Sequence, residues 1–347
     1  MYAALFILCV ALFVFRTITM FEEPSSPVAP PSPDREATLE DFQIISSDPI
    51  EPHLNPSEVY VRPAGRIRAN GRRVVSVADI HGDYIAFIQI LIEARLLSYE
   101  DGETKWAGGN AIFIQTGDIV DRYIYSAYIL RLLAKIQRQA RAVGGDVILL
   151  MGNHEVMNLM GYFYENPLED AGFAPQTRAE AFEKDTGEFG NFIRSFPVAV
   201  IIEMIDDSPE SGILFVHAGI EPHFLDFNDT NPIDKLNRDM RWFTDKPMKH
   251  LKQYYKHPLM TDPGPLWSRL FEDEKDETIV QAAVDETLSV CRAGKMVVGH
   301  SFQLSRKVRT RCGGKIVLGD VGMSVYYNGR RLALEHFTNG SFSEIEV

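Results

Sequence analysis

The chain has 347 residues, 45% of them hydrophobic and 24% charged, which is enough apolar material for a substantial core. A net charge of −13 excludes a protein that clasps a nucleic-acid backbone, since that task needs clustered Lys and Arg. Three cysteines, Cys9, Cys291 and Cys312, are too few for a disulfide framework, and Cys291 and Cys312 are read as two separate buried thiols.

Met1 to Phe15 carries no charge and is almost entirely apolar, with Arg16 following. The run falls short of the ~20 residues of a spanning helix unless it continues to Phe21, and it lacks a basic stretch ahead of it. Residues 1–21 are expected to be either a signal peptide or an N-terminal membrane anchor, which puts the protein in the secretory pathway or on a membrane. Nine of the 19 prolines fall between Pro24 and Pro63 among Ser, Asp and Glu, so residues 22–70 are expected to form a Pro-rich disordered linker. The basic group Arg62, Arg66, Arg68, Arg72 and Arg73 is expected to be a solvated lead-in. Residues 71–347 are assigned to one folded domain.

Within that domain, strands are predicted at 73–80, 111–117 and 146–151, with helices at 84–97 and 123–143 between them. This alternation implies a parallel sheet with right-handed crossovers, whose functional residues lie just past the carboxyl ends of the strands. A short helix at 156–160, a turn-rich stretch at 161–177 and a helix at 180–194 follow. Strands at 198–205 and 212–220, helices through 255 and at 278–291, and strands at 296–300, 308–311, 315–318 and 332–337 complete the chain. The hairpin-like spacing of the later strands predicts a second sheet facing the first, with helices outside.

Polar groups punctuate the ends of these strands. Asp79 and His81, one residue apart at an extended strand end, reach the same side. Asp118 ends the next strand, and a carboxylate has two oxygens with which to bridge two cations. Asn153 offers an uncharged amide oxygen, and His217 and His300 each end an apolar run. Any one of these residues alone reads as structural. Together they are hard oxygen donors and imidazoles delivered to a rigid sheet edge, the pattern of a two-metal hydrolase.

Asp79-Ile80-His81-Gly82, Gly117-Asp118-Ile119-Val120-Asp121-Arg122, Gly152-Asn153-His154-Glu155, His217-Ala218-Gly219 and Gly299-His300 resemble the motif series of the phosphoprotein phosphatase family, a branch of the calcineurin-like metallophosphoesterases. Gly264-Pro265-Leu266-Trp267-Ser268-Arg269 and Gly319-Asp320-Val321-Gly322 are most similar to its Shewanella-like subgroup. The match runs from Arg73 to about Ser324. The chain departs from the family pattern at Ala78, Tyr123 and Ala218, each of which stands where a glycine is usual, and none of these removes a ligand.

The resemblance implies an α/β calcineurin-like metallophosphoesterase fold, with two facing mixed β-sheets sandwiched by helices. It also implies two divalent metal ions (Mn, Fe or Zn), one held by Asp79, His81 and Asp118, the other by Asp118, Asn153, His217 and His300. Arg122, Asn153 and Arg269 would hold the substrate phosphate. His154 would be the general acid, kept cationic by Asp121, and a hydroxide between the metals would attack phosphorus in line. The implied substrate is a phosphorylated protein or peptide carrying phosphoserine, phosphothreonine or phosphotyrosine; membrane association is an expectation from the apolar leading segment and not from the resemblance. Two alternatives stay open: hydrolysis of a dinucleoside polyphosphate or small phosphate ester, and a membrane-tethered binding module without turnover.

Overall fold

The computed structural model describes residues 52–100, 102–205 and 208–347. The leading segment 1–21 and most of the expected linker lie outside the described residues.

Thirteen strands are described: β1 (Arg66–Arg68), β2 (Val74–Val77), β3 (Leu97–Glu100), β4 (Glu103–Trp106), β5 (Ile112–Gln115), β6 (Asp146–Leu149), β7 (Ala199–Glu203), β8 (Gly212–Val216), β9 (Lys295–Val298), β10 (Arg309–Arg311), β11 (Ile316–Leu318), β12 (Leu332–His336) and β13 (Phe342–Glu346). They form a six-stranded sheet ordered β1-β7-β8-β9-β11-β10, a five-stranded sheet ordered β13-β12-β2-β5-β6, and the separate hairpin β3-β4. The helices are α1 (Tyr84–Glu93), α2 (Ser126–Ala142), α3 (Asn153–Leu159), α4 (Pro167–Ala171), α5 (Arg178–Ala181), α6 (Gly190–Arg194), α7 (Pro232–Thr244), α8 (Met248–Leu251), α9 (Leu270–Asp273) and α10 (Glu277–Cys291).

β2, β5 and β8 are buried along their whole length, and this is why apolar residues dominate both faces of each instead of alternating with polar ones. One face of each sheet contributes to a shared apolar layer in which Val74, Ile112, Ile114 and Ile148 meet Val200, Ile213, Phe215, Val297 and Val317. The other faces pack against helices in a second, larger cluster that includes Phe87, Phe113, Leu133, Leu214 and Val298. The helices begin where the sequence supplies caps. Asp83 accepts from the Ala86 amide ahead of α1, and Asp276 accepts from the Thr278 amide ahead of α10.

The topology sets up the functional site. In the five-stranded sheet β2, β5 and β6 run parallel; in the six-stranded sheet β8, β9 and β11 do the same. Each sheet therefore presents three carboxyl-terminal strand ends, and these carry the polar motifs.

Several expectations are corrected. The folded unit does not begin at residue 71: β1 pairs in parallel with β7, Leu54 is buried, and the Leu54 amide donates to Glu188 Oε1 at 3.1 Å. Prolines here shape a segment strapped to the domain, because local stiffness does not prevent docking when a buried partner is available. The arginines of the lead-in are likewise paired, Arg66 with Glu203 at 3.0 Å, Arg72 with Asp146 at 2.6 Å and Arg73 with Glu335 at 2.7 Å. The helix expected at 180–194 is broken into α5 and α6, since Asp185 turns left-handed (φ 65°) and a side chain on Gly190 would strike the Glu183 carbonyl. The later strands are only partly hairpins. β7/β8 and β10/β11 are antiparallel, whereas β8/β9 and β9/β11 are parallel. Cys291 and Cys312 are both free and buried.

Candidate metal centre and active site

All six residues expected as ligands meet at the paired strand ends. Asp79 and His81 follow β2, Asp118 follows β5, Asn153 opens α3 just after β6, His217 follows β8, and His300 follows β9. Each of these side chains is less than a tenth exposed. The backbone there is bent to aim them: His81 (φ 47°), Asp118 (φ 56°), Asp121 (φ 71°), Arg122 (φ 75°) and His300 (φ 62°) are left-handed, a conformation that costs non-glycine residues about 1 kcal/mol or more each. Two glycines let the loops close. Gly117 (φ 100°) lies so near Gly152 that a Cβ on it would sit 2.8 Å from the Gly152 Cα, and a Cβ on Gly152 would collide with the Asp118 amide.

Asp118 occupies the middle. Its Oδ2 lies 3.6 Å from His81 Nε2 and its Oδ1 lies 3.4 Å from His217 Nε2, so its two oxygens face opposite halves of the site. On one side, Asp79 Oδ2 is 3.8 Å from His81 Nε2. On the other, Asn153 Oδ1 lies 2.8 Å from His217 Nε2 and 3.0 Å from His300 Nδ1, and the two histidine nitrogens are 3.1 Å apart.

The histidine tautomers show whether cations fit. His217 Nδ1 faces the Thr116 carbonyl at 2.9 Å and His81 Nδ1 faces the Val120 carbonyl at 3.1 Å. A carbonyl only accepts, so Nδ1 carries the proton in both rings and each Nε2 presents a lone pair. Those lone pairs point at the oxygens of Asp79, Asp118 and Asn153. Electron-rich atoms converging on one another without hydrogens between them form a cradle for positive charge. Imidazole with carboxylate and amide oxygen is a donor set for first-row divalent ions. The residues present therefore fit two metal ions.

Electrostatics agree. Burial, with the Asp320 and Asp118 charges added, pushes the Asp79 carboxyl well above its usual range. Burial raises Glu155 to about 7 and Asp320 to about 6, each with Asp118 adding repulsion. Burial would raise Asp118 too, but His217, His154 and His81 around it hold it well below its usual range. Burial drives His81 down to about 3 and, with Arg269 nearby, pulls His300 well below its ordinary value. The carboxylates crowd one another, and burial keeps His81 and His300 neutral, as ligands must be.

Beside this cradle, His154 Nδ1 meets Asp121 Oδ2 at 2.5 Å and its Nε2 lies 3.4 Å from Arg122 Nη2. His154 also sits near Asp118, 3.9 Å between Nε2 and Oδ2, but its Nδ1 is committed to Asp121. Burial opposes its protonation; Asp118 and the Asp121 hydrogen bond outweigh burial and raise its pKa. Arg122 is buried with its guanidinium carbon 4.3 Å from the Tyr164 ring centroid and 5.5 Å from that of Tyr326. Arg269 is half-buried with Nη1 3.5 Å from Ser301 Oγ, next to His300. Tyr123 is half-buried beside Arg122, Ala78 is half-buried and Ala218 is buried.

Sequence reasoning left four participants without a role. Glu155 accepts from the amides of Gly152 (2.8 Å), Asp118 (2.8 Å), Ile119 (2.8 Å) and Val120 (3.3 Å), locking two motif loops to each other. It stood in a quoted motif, and its position three residues after Gly152 is that of a capping-box acid. Asp320 follows β11 as the third strand-end group of its sheet. Arg178 and Asn158 surround Asp121, and no spacing in the sequence points to them.

The sequence profile of the calcineurin-like phosphoesterase family matches residues 72–290. Shewanella-like protein phosphatase 1 of Plasmodium berghei (strain Anka) is 32% identical over 286 residues, 78% of this chain and 72% of that protein. Shewanella-like protein phosphatase 2 of Arabidopsis thaliana is 25% identical, covering 73% of this chain and 71% of its own length. The solved structure of a cold-active protein-tyrosine phosphatase from a psychrophile Shewanella species superposes with a TM-score of 0.64 at 23% identity, over 84% of this chain and 86% of that one, and shares the fold. The chain belongs to the calcineurin-like phosphoesterase family, among the Shewanella-like protein phosphatases. It is a hydrolase of phosphoesters that works with divalent metals.

Proposed function

We propose that the protein removes phosphate from phosphorylated proteins or peptides, using Asp79, His81 and Asp118 for one cation and Asp118, Asn153, His217 and His300 for the other. The observation that carries this reading is the position of Asp118, with one oxygen turned to His81 and the other to His217. When bound, the ions supply an activated water and neutralise phosphoryl oxygens. Arg122, with its guanidinium over the Tyr164 ring, presents its fork to phosphate oxygens, and Arg269 approaches from beside His300. As water adds to phosphorus the P–O ester bond breaks, and His154 Nε2 gives its proton to the departing oxygen. The products are an alcohol and inorganic phosphate. Asp121 fixes the ring so that Nε2 faces Arg122.

Tyr164, Tyr326 and Tyr327 stand around Arg122, His154 and His81. This aromatic rim supports aryl phosphates, phosphotyrosine in a peptide, as the preferred class. The test compares phosphotyrosine, phosphoserine and phosphothreonine peptides with diadenosine tetraphosphate, using full-length protein with added manganese. Turnover of a phosphopeptide, abolished by Asp118→Asn, is expected. Turnover that survives Asp118→Asn, or that favours the dinucleotide, overturns the reading.

Residues 1–21 remain proposed as a signal peptide or membrane anchor on composition alone. Among the described residues no helix is long and apolar enough to cross a membrane. Sequencing the mature amino terminus distinguishes cleavage from retention.

A further inference from the structure

Asp121 orients His154, yet the groups that hold Asp121 come from a different stretch of chain. Arg178, on α5, donates from Nη2 to Asp121 Oδ1, from Nε to Asn158 Oδ1 at 2.9 Å and from Nη1 to Glu169 Oε2 at 3.0 Å. Asn158 closes the ring by donating from Nδ2 to Asp121 Oδ2 at 3.0 Å and to the His154 carbonyl at 2.9 Å. Arg178 Nη1 also donates to the Tyr164 carbonyl at 3.2 Å, and the Tyr164 ring is the surface on which Arg122 lies. Arg178 is 4% exposed, so this fork is dry, and its planar donors fix directions that a point charge would leave loose.

We propose that Arg178 is a positioning residue for proton donation: its guanidinium fixes Asp121 against His154, so the helical stretch spanning 160–196 aims the acid. The proposal rests on His154 as the general acid. A merely structural ion cluster would hold up the fold and slow every substrate alike. A residue that aims the acid matters only when the leaving oxygen needs a proton.

Phenyl phosphate and dinitrophenyl phosphate separate these cases, because phenolate is basic, with a conjugate pKa of about 10, and dinitrophenolate is not. With the manganese-loaded full chain, Arg178→Met is expected to lower kcat for phenyl phosphate by about 10- to 100-fold, and for dinitrophenyl phosphate by less than about threefold. Equal losses on both substrates overturn the proposal. His154→Asn, run beside it, must show the same selectivity. If His154→Asn slows both substrates equally, the acid assignment itself fails and the role of Arg178 falls with it. If His154→Asn is selective and Arg178→Met is not, only the role of Arg178 fails. Should Arg178→Met not fold, because Asp121 and Glu169 then face each other unshielded, Arg178→Met with Glu169→Gln removes one of the two carboxylates. The same pair of substrates then decides.

Discussion

The two halves of the active site are built by different means. The metal-facing half is backbone work: two triplets of parallel strands, β2-β5-β6 and β8-β9-β11, end side by side, and each delivers ligands within a few residues of its last hydrogen-bonded pair. The acid half is side-chain work. His154 and Arg122 are aimed by Asp121, Asn158, Arg178 and Tyr164, the last two from the irregular stretch at 160–196. Rigid strand ends suit ligands that must hold a cation pair within tenths of an ångström. A polar network suits an acid whose ring must be held in one orientation while it exchanges a proton.

The largest effect should come from the backbone-built half. His217→Ala removes an imidazole that faces both Asn153 and Asp118, and turnover should fall about 10³-fold, equivalent to several kcal/mol of lost charge stabilisation. Metal analysis of the purified variant should show roughly one ion missing per chain, and full metal content with full activity would break the comparison.

Glu155→Gln probes the tie between two motif loops. A carboxylate accepts from four amides here, whereas an amide side chain offers one oxygen, so unfolding in urea should show a loss of about 2–3 kcal/mol. A loss no larger than that of an ordinary surface change would show that the loops hold themselves.

The third prediction concerns pH. Glu155 at about 7 and Asp320 at about 6 lie above their unfolded values, so metal-free folded protein binds more protons than the unfolded chain between those limits. Stability from these groups is fully present below their unfolded pKa values and is lost as pH rises through the folded ones. Buried His81 and His300 push the other way, so the carboxylate contribution is read as a difference. In chelator, the Tm of the wild type should fall by a few degrees relative to that of Glu155→Gln between about pH 5 and pH 7.5; with manganese, the wild type should instead gain over that window, as the ions favour the ionised carboxylates. A difference in Tm between the two chelated proteins that does not change with pH would contradict the buried-carboxylate picture.

The smallest effect belongs to the surface. Arg62 meets Asp245 at 2.6 Å, but both side chains are more than a third exposed, and Arg62→Ala should cost less than about 1 kcal/mol in the same urea titration.

Legibility in the sequence followed the same division. Asp79, His81, Asp118, Asn153, His217 and His300 could be picked out because a buried strand is a run of apolar residues, and a polar residue ending such a run is conspicuous. Asp121 and Arg122 were legible as part of the same motif. Arg178 was not: it lies 57 residues from Asp121 in a stretch with no sustained periodicity, where a helix over 180–194 was expected and two short ones formed. The strap at 52–54 was hidden for a similar reason. Proline content argues for extended chain, and only the burial of Leu54 and the carboxylate of Glu188 decide that this chain docks.

By itself the sequence determined which segments become buried strands, the order in which they arise and which polar groups stand at their ends, because hydrophobic periodicity and strand-end chemistry are local properties. The tertiary structure decided that β8, β9 and β11 run parallel, that their ends abut those of β2, β5 and β6, and that an arginine from the 160–196 stretch reaches Asp121. Those outcomes depend on which apolar faces meet in three dimensions and which buried charges must find partners, and neither quantity is written in the spacing of residues along the chain.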